Sequence, residues 1–462
     1  MFELMAPLMF LGLVAFLLLG YPVAFSLAAN GLLFAVVGIQ LDYFGFDQLQ
    51  ALPERVFGIM SNATLLAIPF FTFMGLILEK SGMAEELLDS LGQLFGPIRG
   101  GLAYAVIFVG ALLAATTGVV AASVIAMGLI SLPIMLRYGY DKRLASGVIA
   151  ASGTLAQIIP PSLVLIVLAD QLGVSVGDMY RGALTPALVL TGLYAVFILV
   201  VSLALPAAMP ALPAAARSLR GSALLLKSLS AMLPPLLLIF LVLGTLFMGI
   251  ATPTEGGAMG AVGALLLALA KGRLRREVLT QAMETTTRLT TFVIFILIGS
   301  TVFSLVFRLL EGDLWVEALL TGLPGGELGF LIVVNLLVFL LAFFLDFFEI
   351  AFIIVPLLAP VAYKLGIDLV WFGVLLGINM QTSFMHPPFG FALFYLKSVA
   401  PKEVKTSDIY WGAVPFLIIQ ILMVAMVVAF PGLVGIEPAQ LDDTPVEIKL
   451  EDTGNIYFPP QP

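Results

Sequence analysis

Residues 151–168 read ASGTLAQIIPPSLVLIVL. Two prolines sit in the middle of an apolar stretch. Proline has no amide hydrogen and its ring clashes with the preceding turn, so a helix running into Pro160 must stop there. Small and hydroxyl residues, Ser152, Gly153 and Thr154, lie before the break, and a short apolar run resumes after it. In a bilayer the freed carbonyls must face protein or a wet cavity. Residues 379–396, NMQTSFMHPPFGFALFYL, repeat the arrangement. Each segment follows another Pro-broken apolar run: NATLLAIPFFTFMG (62–75) in the first half, DFFEIAFIIVPLLAP (346–360) in the second. The halves read as diverged repeats. Short, interrupted segments at matching positions mark the midplane site of a secondary transporter. Carbonyls and hydroxyls there can replace the water shell of Na⁺, and half-helix N-termini can face an anion. Proline and glycine are also simply common in membrane helices, but a matched pair with hydroxyls on both favours function.

Composition supports a membrane setting. Of 462 residues, 61% are hydrophobic and 11% charged, with mean hydropathy +1.12; soluble domains carry about 25% charged residues. The fold class expected is an all-α polytopic membrane protein. Cysteine is absent and His386 is the single histidine, which excludes disulfides, thiolate chemistry and multi-histidine metal centres. The net charge of −8 gives nucleic acid no basic surface. No Walker A, HExxH or GxSxG motif occurs, so neither ATP hydrolysis by that route nor hydrolase chemistry is indicated.

Basic residues cluster at 137–143, 217–227 and 271–276. Two apolar segments separate neighbouring clusters, so all three share one side, and the positive-inside rule makes it cytoplasmic. The loop Glu311–Asp313 then lies outside. The N-terminal run lacks a basic flank and reads as a first span. The stretch 81–99 suits an amphipathic interfacial helix. Residues 1–432 read as the membrane domain, with repeat halves at about 60–205 and about 280–430, and 433–462 as an acidic, poorly ordered tail.

Several ordered motifs suggest a family. NATLLAIPFF (62–71), SGTLAQIIPPSLVLI (152–166), ATPTEGGA (251–258) and QTSFMHPPFGFALFYLKSVAP (381–401) resemble the large membrane subunit of TRAP transporters, the tripartite ATP-independent periplasmic transporters. The likeness spans about residues 5–430, and its late motif looks like the branch labelled mannitol/chloroaromatic or 2-oxo acid. The resemblance implies about eleven transmembrane helices plus two re-entrant hairpins, an elevator-type motion and residence in a bacterial inner membrane. It implies Na⁺ coupling with no other cofactor. It also implies a small membrane subunit and a periplasmic solute-binding protein that delivers a small organic anion. Family Na⁺ ligands map in the first half to the tip Thr116, Thr117 and Ser123 and to Gly153, Ala156, Ile159 and Pro160, the apolar ones acting through carbonyls. In the second half they map to Gly299, Ser383, His386 and Phe389. The sequence departs from the family form Gly-x-x-Thr-Pro-Pro: His386 replaces the threonine. An imidazole is a poor Na⁺ ligand and titrates near neutrality, so proton coupling is the alternative.

Other residues carry open readings. Asp346 and Glu349, three apart in an apolar run, are either a cation or proton site or a structural pair neutralised by Arg308 or Lys364. Thr154, Gln381 and Thr382 are substrate or coupling candidates. Thr252-Pro253-Thr254-Glu255 reads as a capping box. Thr285–Thr287 cap a helix or face the substrate path, Arg288 suits the lipid interface, and Asn62 caps a turn or lies near the site. A channel is the rival class, disfavoured by repeats within one long chain.

Overall fold

The computed structural model describes residues 2–435 except 218, 220 and 344; of the acidic tail expected at 433–462, residues 436–462 lie outside the described residues. All described elements are helical. Three helices open the chain: α1 (Met5–Leu18), α2 (Val23–Gln40) and α3 (Ala51–Met60). A first run follows: α4 (Ala67–Lys80), α5 (Met83–Phe95), α6 (Gly101–Thr117), α7 (Val120–Arg137), α8 (Lys142–Thr154), α9 (Leu163–Leu172) and α10 (Val176–Ala204). Two long helices connect, α11 (Gly221–Phe247) and α12 (Pro253–Ala270). A second run of seven closes the chain: α13 (Arg276–Leu309), α14 (Gly312–Thr321), α15 (Gly326–Leu341), α16 (Phe347–Lys364), α17 (Leu369–Thr382), α18 (Phe391–Val399) and α19 (Thr406–Ala429).

The two runs share one order. Each has an entering helix, a short helix, a hairpin (α6/α7, α15/α16), a helix broken at a Pro-Pro pair (α8/α9, α17/α18) and a long final helix. The Pro160–Pro161 and Pro387–Pro388 peptide bonds are both cis. This order revises one pairing read from the sequence: the counterpart of 346–360 is α7, which contains Pro133, and not the 62–75 segment. The runs also start from opposite faces. Arg273 Nη1, beside the start of α13, donates to Ser81 O at 3.3 Å and Gly82 O at 2.8 Å, just past the end of α4. Lys271 and Arg273 both reach Glu86 on α5, at 2.9 and 3.4 Å. So α4 ends where α13 begins.

Local chemistry sets the helix starts. Asp141 accepts from Arg143 N and Leu144 N at the start of α8. Ser175 caps α10 through Asp178 N, and Asp368 caps α17 through Trp371 N. Thr252 and Glu255 form the expected capping box, with Pro253 in the first turn of α12. Helix α5 buries Leu87, Leu88 and Leu91 and turns Asp89 to Lys227 at 2.6 Å, the amphipathic element foreseen at 81–99.

Eight helices among the described residues are long and apolar enough to cross a membrane. This is fewer than the expected eleven plus two hairpins, because the halves of a broken helix and some hairpin arms are too short to pass as spans. Packing crosses between the runs: α8 lies on α19, while α17 contacts α9 and α10. At the α8–α19 contact Gly147 and Gly412 meet backbone to backbone. A Cβ on Gly412 would collide with Arg143 O and come within 3.0 Å of Gly147 N. Small residues permit such approach where lipid supplies no hydrophobic drive between helices.

Candidate functional site

The first hairpin turns at Gly118, whose φ of +57° suits glycine. Val119 is extended and α7 starts at Val120 without a side-chain cap. This tip seats on the first break. A Cβ on Gly118 would lie 3.3 Å from Leu163 Cγ and 3.6 Å from Pro161 O. One turn below, Gly153 touches the Val124 backbone so closely that a Cβ there would come within 3.2 Å of Val124 N. The structure therefore brings together the helix carrying Ser123 with Gly153, Ala156, Ile159 and Pro160. Chain from Ile158 to Ser162 is non-helical, and only at its end does a carbonyl, that of Ser162, accept from Ile166 N at 3.2 Å to open α9. The side chains of Thr116 and Thr117 lie outside the described residues.

The second hairpin seats on the second break through aromatic rings. The His386 ring stacks on Phe343 with centroids 3.9 Å apart and meets Phe339 edge-on at 5.3 Å. Phe347 lies 6.3 Å from Phe384. His386 is buried, and neither ring nitrogen has a hydrogen-bond partner. Ser383 Oγ donates to Met380 O at 2.5 Å, and Thr382 Oγ1 to Asn379 O at 2.6 Å. Phe389 is nearly half exposed and 6.4 Å from Phe343. Gly299 does not join this group: it packs against the Ala24 backbone on α2, while its neighbour Ser300 donates to Phe352 O at 2.5 Å.

Asp346 and Glu349 prove to be a reciprocal capping box at the start of α16. Asp346 Oδ1 accepts from Glu349 N and Glu349 Oε2 from Asp346 N, both at 2.9 Å. The two cations considered as partners pair elsewhere, Arg308 with Asp313 at 3.9 Å and Lys364 with Glu317 at 2.5 Å. The carboxylates hold a helix start that follows an irregular turn, a role the D-x-x-E spacing encodes.

Between the tips and the breaks lies a cavity of about 260 Å³. Gly118–Ala121, Gln157 and Leu163 line it from the first run, and Asp346–Phe348, Phe384 and Tyr395 from the second, with Leu289 and Phe292 of α13 closing one wall. The first residues of α7, α9 and α16 border it. Ser162, at the start of α9, spends its hydroxyl on Gln157 O at 2.5 Å rather than on a cap. The amides opening α7 and α9 thus carry the partial positive charge of helix N-termini toward the cavity. The Gln157 side chain is buried, with neither amide atom partnered. Among the described residues Asp346 is the one charged side chain in the lining, and no described Lys, Arg or His borders the cavity.

Behind the cavity a buried network ties the runs together. Gln381 Nε2 and Gln420 Nε2 both donate to Thr154 Oγ1, at 3.1 and 3.3 Å. Gln420 also reaches Tyr194 Oη at 2.9 Å. Thr154 and Gln381 are therefore cross-run contacts rather than cavity lining. Asn62 caps its turn by accepting from Thr64 N at 2.8 Å and donates to Asp170 Oδ1 at 2.6 Å. Thr287 bonds Met283 O at 2.9 Å within its own helix. Sequence reasoning passed over Gln157, the single amide in 151–168, and Gln420, an isolated polar residue in the uncharged 409–436 stretch; both stand out as polar groups at membrane depth.

Comparison with known proteins agrees with this architecture. The profile of the tripartite ATP-independent periplasmic transporter, DctM component, matches residues 10–433. The C4-dicarboxylate TRAP transporter large permease protein DctM of Pseudomonas aeruginosa is 32% identical over 392 residues, covering 84% of this chain and 89% of the relative. The protein of the same name from Vibrio cholerae is 29% identical over 446 residues, covering 92% of this chain and 95% of the relative. Among solved structures, the Alcanivorax borkumensis YdaH transporter shares the fold with TM-score 0.59 at 14% identity, over 84% of this chain and 89% of that one. The chain belongs to the DctM family, the large permease component of tripartite ATP-independent periplasmic transporters.

Proposed function

We propose that this permease carries a small organic acid, of the C4-dicarboxylate kind for which its relatives are named, inward across a bacterial inner membrane together with Na⁺. A small membrane subunit and a periplasmic solute-binding protein complete the system. The two seven-helix runs, about 60–205 and about 280–430, supply the hairpins and broken helices that hold cargo. The remaining helices form the scaffold against which that body moves in an elevator fashion.

The observation that carries the reading is the charge balance of the central cavity. An organic anion there meets the N-termini of α7 and α9 and the Gln157 amide, but no fixed cation. Burying an uncompensated ion costs several kcal/mol in a protein interior. A cation that enters with the cargo removes that cost, and Asp346 gives it a carboxylate. The unwound carbonyls around Pro160 and Ser383 are oxygen donors of the type Na⁺ takes. One observation favours protons as the second reading: His386, stacked on Phe343 with both nitrogens unpartnered, stands where a hydroxyl would serve Na⁺ better.

Thermal unfolding of the purified protein in NaCl against KCl at equal ionic strength tests the ion. A ligand bound only by the folded state stabilises by mass action, about 2.7 kcal/mol at a hundred times Kd. A saturable, Na⁺-specific rise in midpoint is expected, reduced in Ser383→Ala. Identical midpoints in the two salts would remove Na⁺ from the account.

A further inference from the structure

A second polar cavity, of about 330 Å³, opens on the face away from the basic loops. Arg55 of α3 borders it, as do Asp170 and Gln171 at the end of α9 and Thr301 and Ser304 of α13. Arg55 is half-buried and has no ion pair or hydrogen bond among the described residues. The charge of another cation, Arg308, also acts on it. Burial first, and then Arg308, hold the Arg55 guanidinium below its ordinary pKa. Arg55 is the one cation among the described lining residues, and an anion entering the cavity would meet its unpaired charge. Asp170, the carboxylate in the lining, is already engaged, accepting from Asn62 Nδ2 at 2.6 Å and from Gln171 Nε2 at 2.9 Å. Glu54 points out to solvent, and Asp313 draws on Arg308 only weakly, at 3.9 Å. The hydroxyls of Thr301 and Ser304 face the same space and add donors.

This cavity stands in line with the central one. Helix α13 walls both, with Leu289 and Phe292 in the inner and Leu297 and Ser304 in the outer. The same holds for α16, with Phe348 within and Phe352 without. The eight steps along α13 from Phe292 to Ser300 rise about 12 Å. The Phe292–Phe348 ring pair at 6.1 Å borders the inner cavity, and the Ser300 hydroxyl on Phe352 O at 2.5 Å borders the outer one.

We propose that the outer cavity is a receiving vestibule for carboxylate cargo, in which Arg55 makes the first ionic contact and the Thr301 and Ser304 hydroxyls the next. That the anion is the transported acid rests on the function proposed above; the anion preference of the cavity does not.

The chain contains no cysteine, so Ser304→Cys in the full-length protein reports on this space alone. The probes are two methanethiosulfonates of similar size, one with a sulfonate and one with a trimethylammonium group. Each rate is divided by that with a free thiol in solution. The anionic reagent is expected to react about fivefold faster than the cationic one at low salt. The ratio should fall to near one in Arg55→Gln, persist in Arg55→Lys, and shrink in 1 M salt, where the Debye length drops to about 3 Å. A ratio of one or a cation preference with Arg55 in place overturns the proposal. So does a ratio that Arg55→Gln leaves unchanged, or a thiol that neither reagent reaches. Failure of organic-acid uptake with the labelling ratio intact would instead strike the transport reading and leave the anion vestibule standing.

Discussion

Replacing Asp346 by Asn should lower cargo uptake about a hundredfold, which corresponds to about 2.7 kcal/mol, while the thermal midpoint stays close to that of the parent. Asparagine keeps the side-chain oxygen that accepts from Glu349 N, and Asn caps helices about as well as Asp. What it removes is the one charge among the described lining residues of the central cavity. Asp346→Ala removes the cap as well and should lose both uptake and about 1 kcal/mol of stability. The two variants separate the roles. Normal uptake by Asp346→Asn would show that the carboxylate serves only as a cap and that the co-transported cation is held elsewhere.

The second large effect is structural. Gly412→Ala should destabilise the protein by about 3 kcal/mol, the upper end of the usual cost of overpacking. The new methyl would press into Arg143 O and the Gly147 backbone, neither of which can rotate away as a side chain would. Relief requires α8 to part from α19, which also moves Thr154 off Gln420. Gly192→Ala is the matched control. It lies inside α10 with nothing within 4 Å of its Cβ position, so helix propensity makes it neutral or slightly stabilising. Thermal unfolding of the two variants beside the parent checks both. Equal midpoints for Gly412→Ala and Gly192→Ala would mean that the α8–α19 contact is looser than described.

Much of this architecture is local and so can be read from the chain. Pro160-Pro161 and Pro387-Pro388 stop helices by steric necessity, wherever the surrounding sequence places them. Thr252 through Glu255 encode a helix start by spacing alone. The same spacing occurs in Asp346-Phe347-Phe348-Glu349, yet the apolar run around it reads as an uninterrupted helix. Helix α15 ends at Leu341 and α16 starts at Phe347, where the hairpin packs on His386 and Phe384, and no local pattern records that. Proline content likewise suggested 62–75 as the counterpart of 346–360. Only the element order, with α7 folding back from a tip as α16 does, shows the true correspondence. Contacts between distant residues were the least legible. Asn62 reaches Asp170, and Gln420 reaches both Thr154 and Tyr194, across more than a hundred residues each. Gly299, which the family pattern places near a site, packs against the Ala24 backbone at a helix crossing, a contact that no local pattern records.

Uptake by proteoliposomes tests the central claim most directly. The vesicles hold the permease with its small subunit and receive the binding protein loaded with labelled succinate or malate. An inward Na⁺ gradient should drive concentrative uptake, and replacing Na⁺ by K⁺ at constant pH should abolish it. Uptake driven by a pH gradient without Na⁺ would contradict Na⁺ coupling and move the ion to His386. No uptake of either acid under any gradient would contradict a cavity built to carry small dicarboxylates.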